Sequence, residues 1–87
     1  MKARVFVRLK PGILDPQGAT VQRALQGLGY QEVRSLTVGK VLDLEIVEEN
    51  PARARTRITE MCKKLLANPV TEEWSVEIID GENRSEL

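Results

Sequence analysis

The chain has 87 residues, with 13 basic and 13 acidic side chains, one cysteine, no histidine and three aromatic residues, Phe6, Tyr30 and Trp74. A lone cysteine excludes an internal disulfide and any cysteine-pair metal motif. The absence of histidine removes the commonest metal ligand and the commonest general base at neutral pH.

Balanced charge and a pI near 6.3 leave no electrostatic footprint for nucleic acid. The opening MKARVFVRLK alternates charge and lacks the apolar stretch of a signal peptide, and no run approaches the about 18 apolar residues of a membrane span. The expectation is a soluble, cytoplasmic, single domain over residues 1–80, followed by a polar tail, 81–87, that frays. A domain of this size buries only roughly 60–65 % of its unfolded surface, so association with another chain is a natural way to complete its core.

Residues 3–10 alternate, with Val5, Val7 and Leu9 on one side and Arg4, Phe6, Arg8 and Lys10 on the other, which is strand periodicity. The loop KPGILDPQG follows. Its second half starts a helix: Asp15 is a good N-cap, and Pro16 suits the first helical position, where its missing N–H is no loss. Val21, Ala24, Leu25 and Leu28 then repeat at helical spacing, and Gly29 fits the left-handed position that ends such a helix.

Residues 33–48 read as two strands joined at Gly39-Lys40. A two-residue turn would set Leu36 against Asp43. A three-residue or bulged turn, with Gly39 at positive φ, pairs Val38 with Leu42 and Leu36 with Leu44 and keeps the apolar rows together. Asn50 and Pro51 open a second helix, 51–67, with an apolar face of Ala54, Ile58, Met61, Cys62, Leu65 and Leu66. Pro69 ends it. The last strand is EEWSVEII, residues 72–79, with Trp74, Val76 and Ile78 on one face.

The order βαββαβ predicts an α+β, ferredoxin-like sandwich, a four-stranded antiparallel sheet with two helices on one face. The uncovered face carries Phe6, Val41, Val47 and Ile79 among charged neighbours, and is the expected oligomer face.

No catalytic constellation assembles. Glu48-Glu49 and Glu72-Glu73 are adjacent pairs whose side chains diverge on strands or at their ends. Cys62 lies in a helix's apolar face, where a thiol is inert. Arg53, Arg55 and Arg57 fan around a helix. Gly39-Lys40 lacks the flanking pattern of a P-loop. Among ferredoxin-like functions, RNA binding needs stacked aromatics on the central strands, and metal carriage needs a CxxC; neither is present. A small-molecule regulatory domain needs only backbone and a few polar groups, and stays open as an alternative.

Longer motifs narrow this. VFVRLK followed by PGILDPQG, then LGY at 28–30, VGK at 38–40 and CKKLLANPVTE at 62–72, resemble the PurS family over residues 1 to about 80. The resemblance implies a non-catalytic subunit of phosphoribosylformylglycinamidine synthase, a ligase complex of purine biosynthesis. In that family the glutaminase subunit PurQ releases ammonia, and the synthetase subunit PurL uses ATP and Mg to activate formylglycinamide ribonucleotide (FGAR) for conversion to formylglycinamidine ribonucleotide (FGAM). PurS makes the two work together, binds no cofactor or metal itself, and forms a homodimer or a higher homo-oligomer.

The partner-contact candidates are Lys10, Pro11, Gly12, Ile13, Leu14, Asp15 and Gln17, with Gly39, Lys40, Asn68 and Pro69. A stiff loop loses little entropy on docking, and Ile13 and Leu14 offer apolar contact. In the other reading of the loop, Ile13 and Leu14 fold back as a lid over the chain's own core.

Overall fold

The computed structural model describes residues 1–79. The tail, 81–87, and the final residue of the expected domain lie outside the described residues. Strand β1 (Lys2–Leu9) leads to helix α1 (Pro16–Gly27), strand β2 (Lys40–Glu45), helix α2 (Pro51–Met61) with one wide π-helical turn (Cys62–Leu66), and strand β3 (Glu72–Ile79). The sheet has the order β2-β1-β3 and is antiparallel throughout. Val5 lies opposite Leu42 on one side and Val76 on the other, so the apolar rows align across all three strands.

Period-2 alternation places Ala3, Val5 and Val7 on the helix side, where they are buried. Helix α2 meets them with Ala54, Ile58 and Cys62, which repeat every four residues and are fully buried. Each fully buried Val or Ile side chain stabilises the fold by roughly 1.5–3 kcal/mol. Asn50 caps α2: its side-chain oxygen accepts from the amides of Ala52 at 2.9 Å and Arg53 at 3.1 Å. Glu48 braces this start, accepting from the Asn50 amide and from Arg53. Those bonds, the Asn50 amide first, hold the Glu48 carboxyl below its ordinary range.

Four expectations need correction. The strand expected at 33–38 does not form, so among the described residues the sheet has three strands and not four. The segment spends its backbone groups on α1 instead. Gln22 donates to the carbonyls of Val33 and Arg34, Gln26 donates to that of Val33, and the Val38 amide donates to Asp15 at 2.8 Å.

Gly39 does not take a positive φ, because no hairpin turn is made there; among the described residues the positive values are at Gly12 (86°) and Gly29 (107°). Glycine is required at 39 by crowding, since a Cβ would lie 2.7 Å from the Val7 carbonyl oxygen.

The second helix is not α-helical to residue 67. The Ala67 amide bonds to the Cys62 carbonyl five residues back. The widened turn rotates Leu65 outward, to 83 % exposure, and brings Ala67 into the core.

Helix α1 also departs from the expected sandwich. It does not pack on the sheet, and Gly18 is its only buried residue. Gly18 is buried because the 33–38 segment crosses it closely: a Cβ there would sit 2.5 Å from the Leu36 carbonyl oxygen. α1 and residues 33–38 therefore form an arm beside the β-sheet and α2.

Candidate protein-docking site

Three loops from distant parts of the sequence meet at one end of the sheet. The first, Lys10 to Asp15, leaves the end of β1. It turns tightly, with the Ile13 amide donating to the Lys10 carbonyl and Gly12 at φ 86°. The second, Asn68–Thr71, is an Asn-Pro turn. Asn68 accepts at its side chain from Val70, and at its carbonyl from Thr71 and Glu72, while its own amide donates to the Glu72 carboxylate at 2.8 Å. Lys10 ties the two together: its amide donates to the Thr71 carbonyl at 2.9 Å, and its Nζ to the Pro69 carbonyl at 2.7 Å. The third loop, Gly39-Lys40, lies against Val7 and Arg8. It shares with Gln17 and Glu72 a shallow groove of about 210 Å³.

Asp15 stands where the loop becomes a helix. Its carboxylate accepts from the amides of Gly18 at 2.9 Å and Val38 at 2.8 Å. These bonds, Gly18 first, hold its carboxyl below the ordinary aspartate range. One side chain therefore caps α1 and pins the chain that leads into Gly39-Lys40.

The sequence candidates Lys10, Pro11, Gly12, Ile13, Leu14, Asp15, Gln17, Gly39, Lys40, Asn68 and Pro69 thus fall at one end. Leu14 is 81 % exposed and so covers none of the core, whereas Ile13 is 38 % exposed. Two residues outside the sequence candidates are exposed here as well, Val70 within the Asn-Pro turn at 78 % and Leu65 shortly before it at 83 %. Helical spacing alone places Leu65 in the core, and no local signal marks the widened turn that frees it.

The expected oligomer face is less uniform. Phe6 and Val41 lie opposite each other on β1 and β2. Ion pairs Arg4–Asp43 (2.7 Å) and Arg8–Glu73 (3.2 Å) lie on the same face. Val47 is fully exposed beyond the end of β2, whereas Ile79 is buried.

No residue set suited to catalysis stands at the loop end or elsewhere among the described residues. Cys62 is buried, and burial pushes its thiol up. Glu48, Glu72 and Glu73 are each held by backbone or arginine partners. Arg53 and Arg57 pair with Glu48 and Glu60, and Arg55 donates to the Val76 carbonyl. Among the described residues no group of three histidine, cysteine or acidic side chains is placed to hold a metal, and no helix is long and apolar enough to cross a membrane.

A protein-family model described as PurS, phosphoribosylformylglycinamidine (FGAM) synthase, matches residues 2–80. The chain belongs to the PurS family. It is 42 % identical over 77 residues to the phosphoribosylformylglycinamidine synthase subunit PurS of Methanocaldococcus jannaschii, covering 88 % of this chain and 93 % of that one. The Bacillus subtilis PurS subunit is 43 % identical over 77 residues, covering 88 % and 90 %. The crystal structure of M. jannaschii PurS, a subunit of formylglycinamide ribonucleotide amidotransferase in the purine biosynthetic pathway, superposes with a TM-score of 0.82 at 43 % identity, over 93 % of this chain and 98 % of that one. A chain in the structure of PurLQS from Thermotoga maritima superposes with a TM-score of 0.81 at 33 % identity, over 90 % and 95 %. This PurS-family chain is accordingly a subunit of phosphoribosylformylglycinamidine synthase, EC 6.3.5.3.

Proposed function

We propose that the chain is the non-catalytic coupling subunit of this synthase. It bridges a glutaminase, PurQ, and an ATP-dependent synthetase, PurL, so that ammonia released from glutamine converts FGAR to FGAM. The observation that carries this reading is the loop end. Lys10 ties two of the three loops together, the Asp15 carboxylate pins the chain leading into the third, and Leu14, Val70 and Leu65 are exposed there. Such a surface loses little entropy on binding, which favours a docking role. The PurLQS assembly of T. maritima supports the same partners. In this reading ATP and Mg act on the synthetase, this chain holds no cofactor, and the complex works in the cytoplasm. The chain itself acts as a homodimer or a higher homo-oligomer.

Reconstitution tests the proposal. Synthetase and glutaminase from the same organism are mixed with ATP and FGAR, and FGAM is followed with glutamine or free ammonia as nitrogen source. Turnover on glutamine should require the chain, and turnover on ammonia should need it less. If the chain changes neither rate and joins no complex, the coupling role is wrong, and a search for small-molecule ligands by melting shift replaces it. Replacing Ile13 and Leu14 together by serine should leave the melting temperature of the isolated chain within a few degrees of wild type and abolish co-elution with the partners.

A further inference from the structure

Charge is spread unevenly over the chain. Helix α2 and its widened turn, residues 51–66, hold five of the 13 basic side chains, Arg53, Arg55, Arg57, Lys63 and Lys64, and one of the 13 acidic ones, Glu60. All six are exposed. On the outer face of the sheet the two signs meet strand against strand, as in Arg4–Asp43 and Arg8–Glu73. On α2 they do not balance. Glu48 answers Arg53, and Glu60 answers Arg57. Arg55 donates to the Val76 carbonyl, which uses an N–H and leaves the charge. Lys63 and Lys64 make no ion pair among the described residues.

The stability of the helix does not call for this pattern. A helix N-terminus favours acidic side chains, and α2 has none in its first turn. The third position after the Asn50 cap, where a glutamate would complete a capping box, holds Arg53. Arg53 and Arg57 stand four residues apart, so like charges repel along one face. Lys63 and Lys64 suit the C-terminal end of the helix dipole, but Arg53 opposes it. Such local conflicts are tolerated where a surface serves a partner.

The basic face is continuous with the loop end. It starts beside Glu48 and runs to the widened turn, where Lys63 and Lys64 directly precede the exposed Leu65. The Asn-Pro turn follows three residues later. Apolar side chains at the centre with charge at the margin are the make-up of a protein interface.

We infer that the exposed face of α2 is the basic flank of the loop-end docking surface, and that the subunit seated on the loops meets it with an acidic surface. The inference rests on the coupling reading above and names the chemistry of the partner. No aromatic side chain lies on α2 or its widened turn for a base to stack on, so the fit is to a protein and not to a nucleic acid. The flank steers the encounter and fixes its orientation, while the apolar loops hold the contact.

Charge reversal tests this in the mixture of all three subunits. Arg57→Glu with Lys64→Glu changes two exposed side chains and leaves Arg53 on Glu48 and Arg55 on Val76. The full-length variant should melt within a few degrees of wild type and bind synthetase with glutaminase at least about tenfold more weakly at low salt. Wild-type affinity should fall as salt rises from about 0.05 M to about 0.5 M, and that of the variant should change less. Arg57→Gln with Lys64→Gln should lose affinity in the same direction by a smaller factor, a comparison that stands even if the reversal unfolds the chain. Glu60→Gln removes the one carboxylate of α2 and should tighten binding severalfold, whereas a purely structural Arg57–Glu60 pair predicts no gain.

If the wild-type chain joins no complex, the coupling reading falls and this inference falls with it. If wild type co-elutes and both paired variants bind as tightly with the same salt response, this inference alone is overturned. A reversal that changes the sedimenting species of the isolated chain and leaves co-elution intact assigns the face to a second copy, which overturns it as well.

Discussion

The sheet with α2 and the α1 arm carry similar helical patterns and reach different ends. In the first, Ala54, Ile58 and Cys62 are fully buried against Val5 and Val7. In the second, Leu28 is 75 % exposed, and a glycine is the only buried helical residue. Both helices start the same way, from a polar cap followed by proline, and both carry an apolar stripe. What separates them is whether a sheet lies opposite the stripe. Local capping makes a helix; only a facing apolar surface makes it part of a core.

Substitutions break this comparison most strongly in the core. Ile58→Ala should cost about 2–5 kcal/mol, read from urea unfolding, because the surrounding sheet relaxes only partly into the cavity. The matching change at the exposed loop end, Leu14→Ala, should stay within about 0.5 kcal/mol. Next comes the joint inside the arm. Gly18→Ala drives a methyl group toward the Leu36 carbonyl and should weaken the docking of 33–38 on α1 by about 1–3 kcal/mol. Hydrogen exchange should quicken at the Val38 amide and stay unchanged at Val5.

Capping effects are smaller. Asn50→Ala removes the acceptor for two amides and should cost about 1 kcal/mol in the same urea titration.

The smallest effect belongs to pH. The Asp15 carboxyl is held below its unfolded value by the Gly18 and Val38 amides, so its contribution is complete above the unfolded aspartate range, near pH 4. It fades as pH falls through the lower, folded value. The Val38 amide should therefore lose exchange protection in acid before Val5 and Val7 do, and Asp15→Asn should flatten that dependence. Equal acid sensitivity of arm and sheet would show that Asp15 does not tether the segment.

Much of the fold was legible because its signals are local. Asp15 and Asn50 cap the helices they precede, each within three residues of the amides that it accepts from. Gly29 takes the positive φ that a helix end favours. The alternation of Ala3, Val5 and Val7 marks a strand whatever lies around it. The expected strand at 33–38 has the same alternation and fails, because Asp15, Gln22 and Gln26 offer its backbone other partners. Leu65 has core spacing and lies outside, because one widened turn shifts the helix face. The loop-end residues were legible singly, as turn chemistry. Their meeting was not, because Lys10 and Pro69 lie 59 residues apart in the chain.

Sequence by itself determined the helix starts, the three strands that form among the described residues, and the family. Each of these depends on residue identity or on spacings of a few positions. Tertiary structure alone decided which apolar stripe is buried, where the 33–38 segment spends its hydrogen bonds, and which loops share one end. Those outcomes are competitions between distant partners for the same surface or the same backbone group, and periodicity along the chain does not record who wins them.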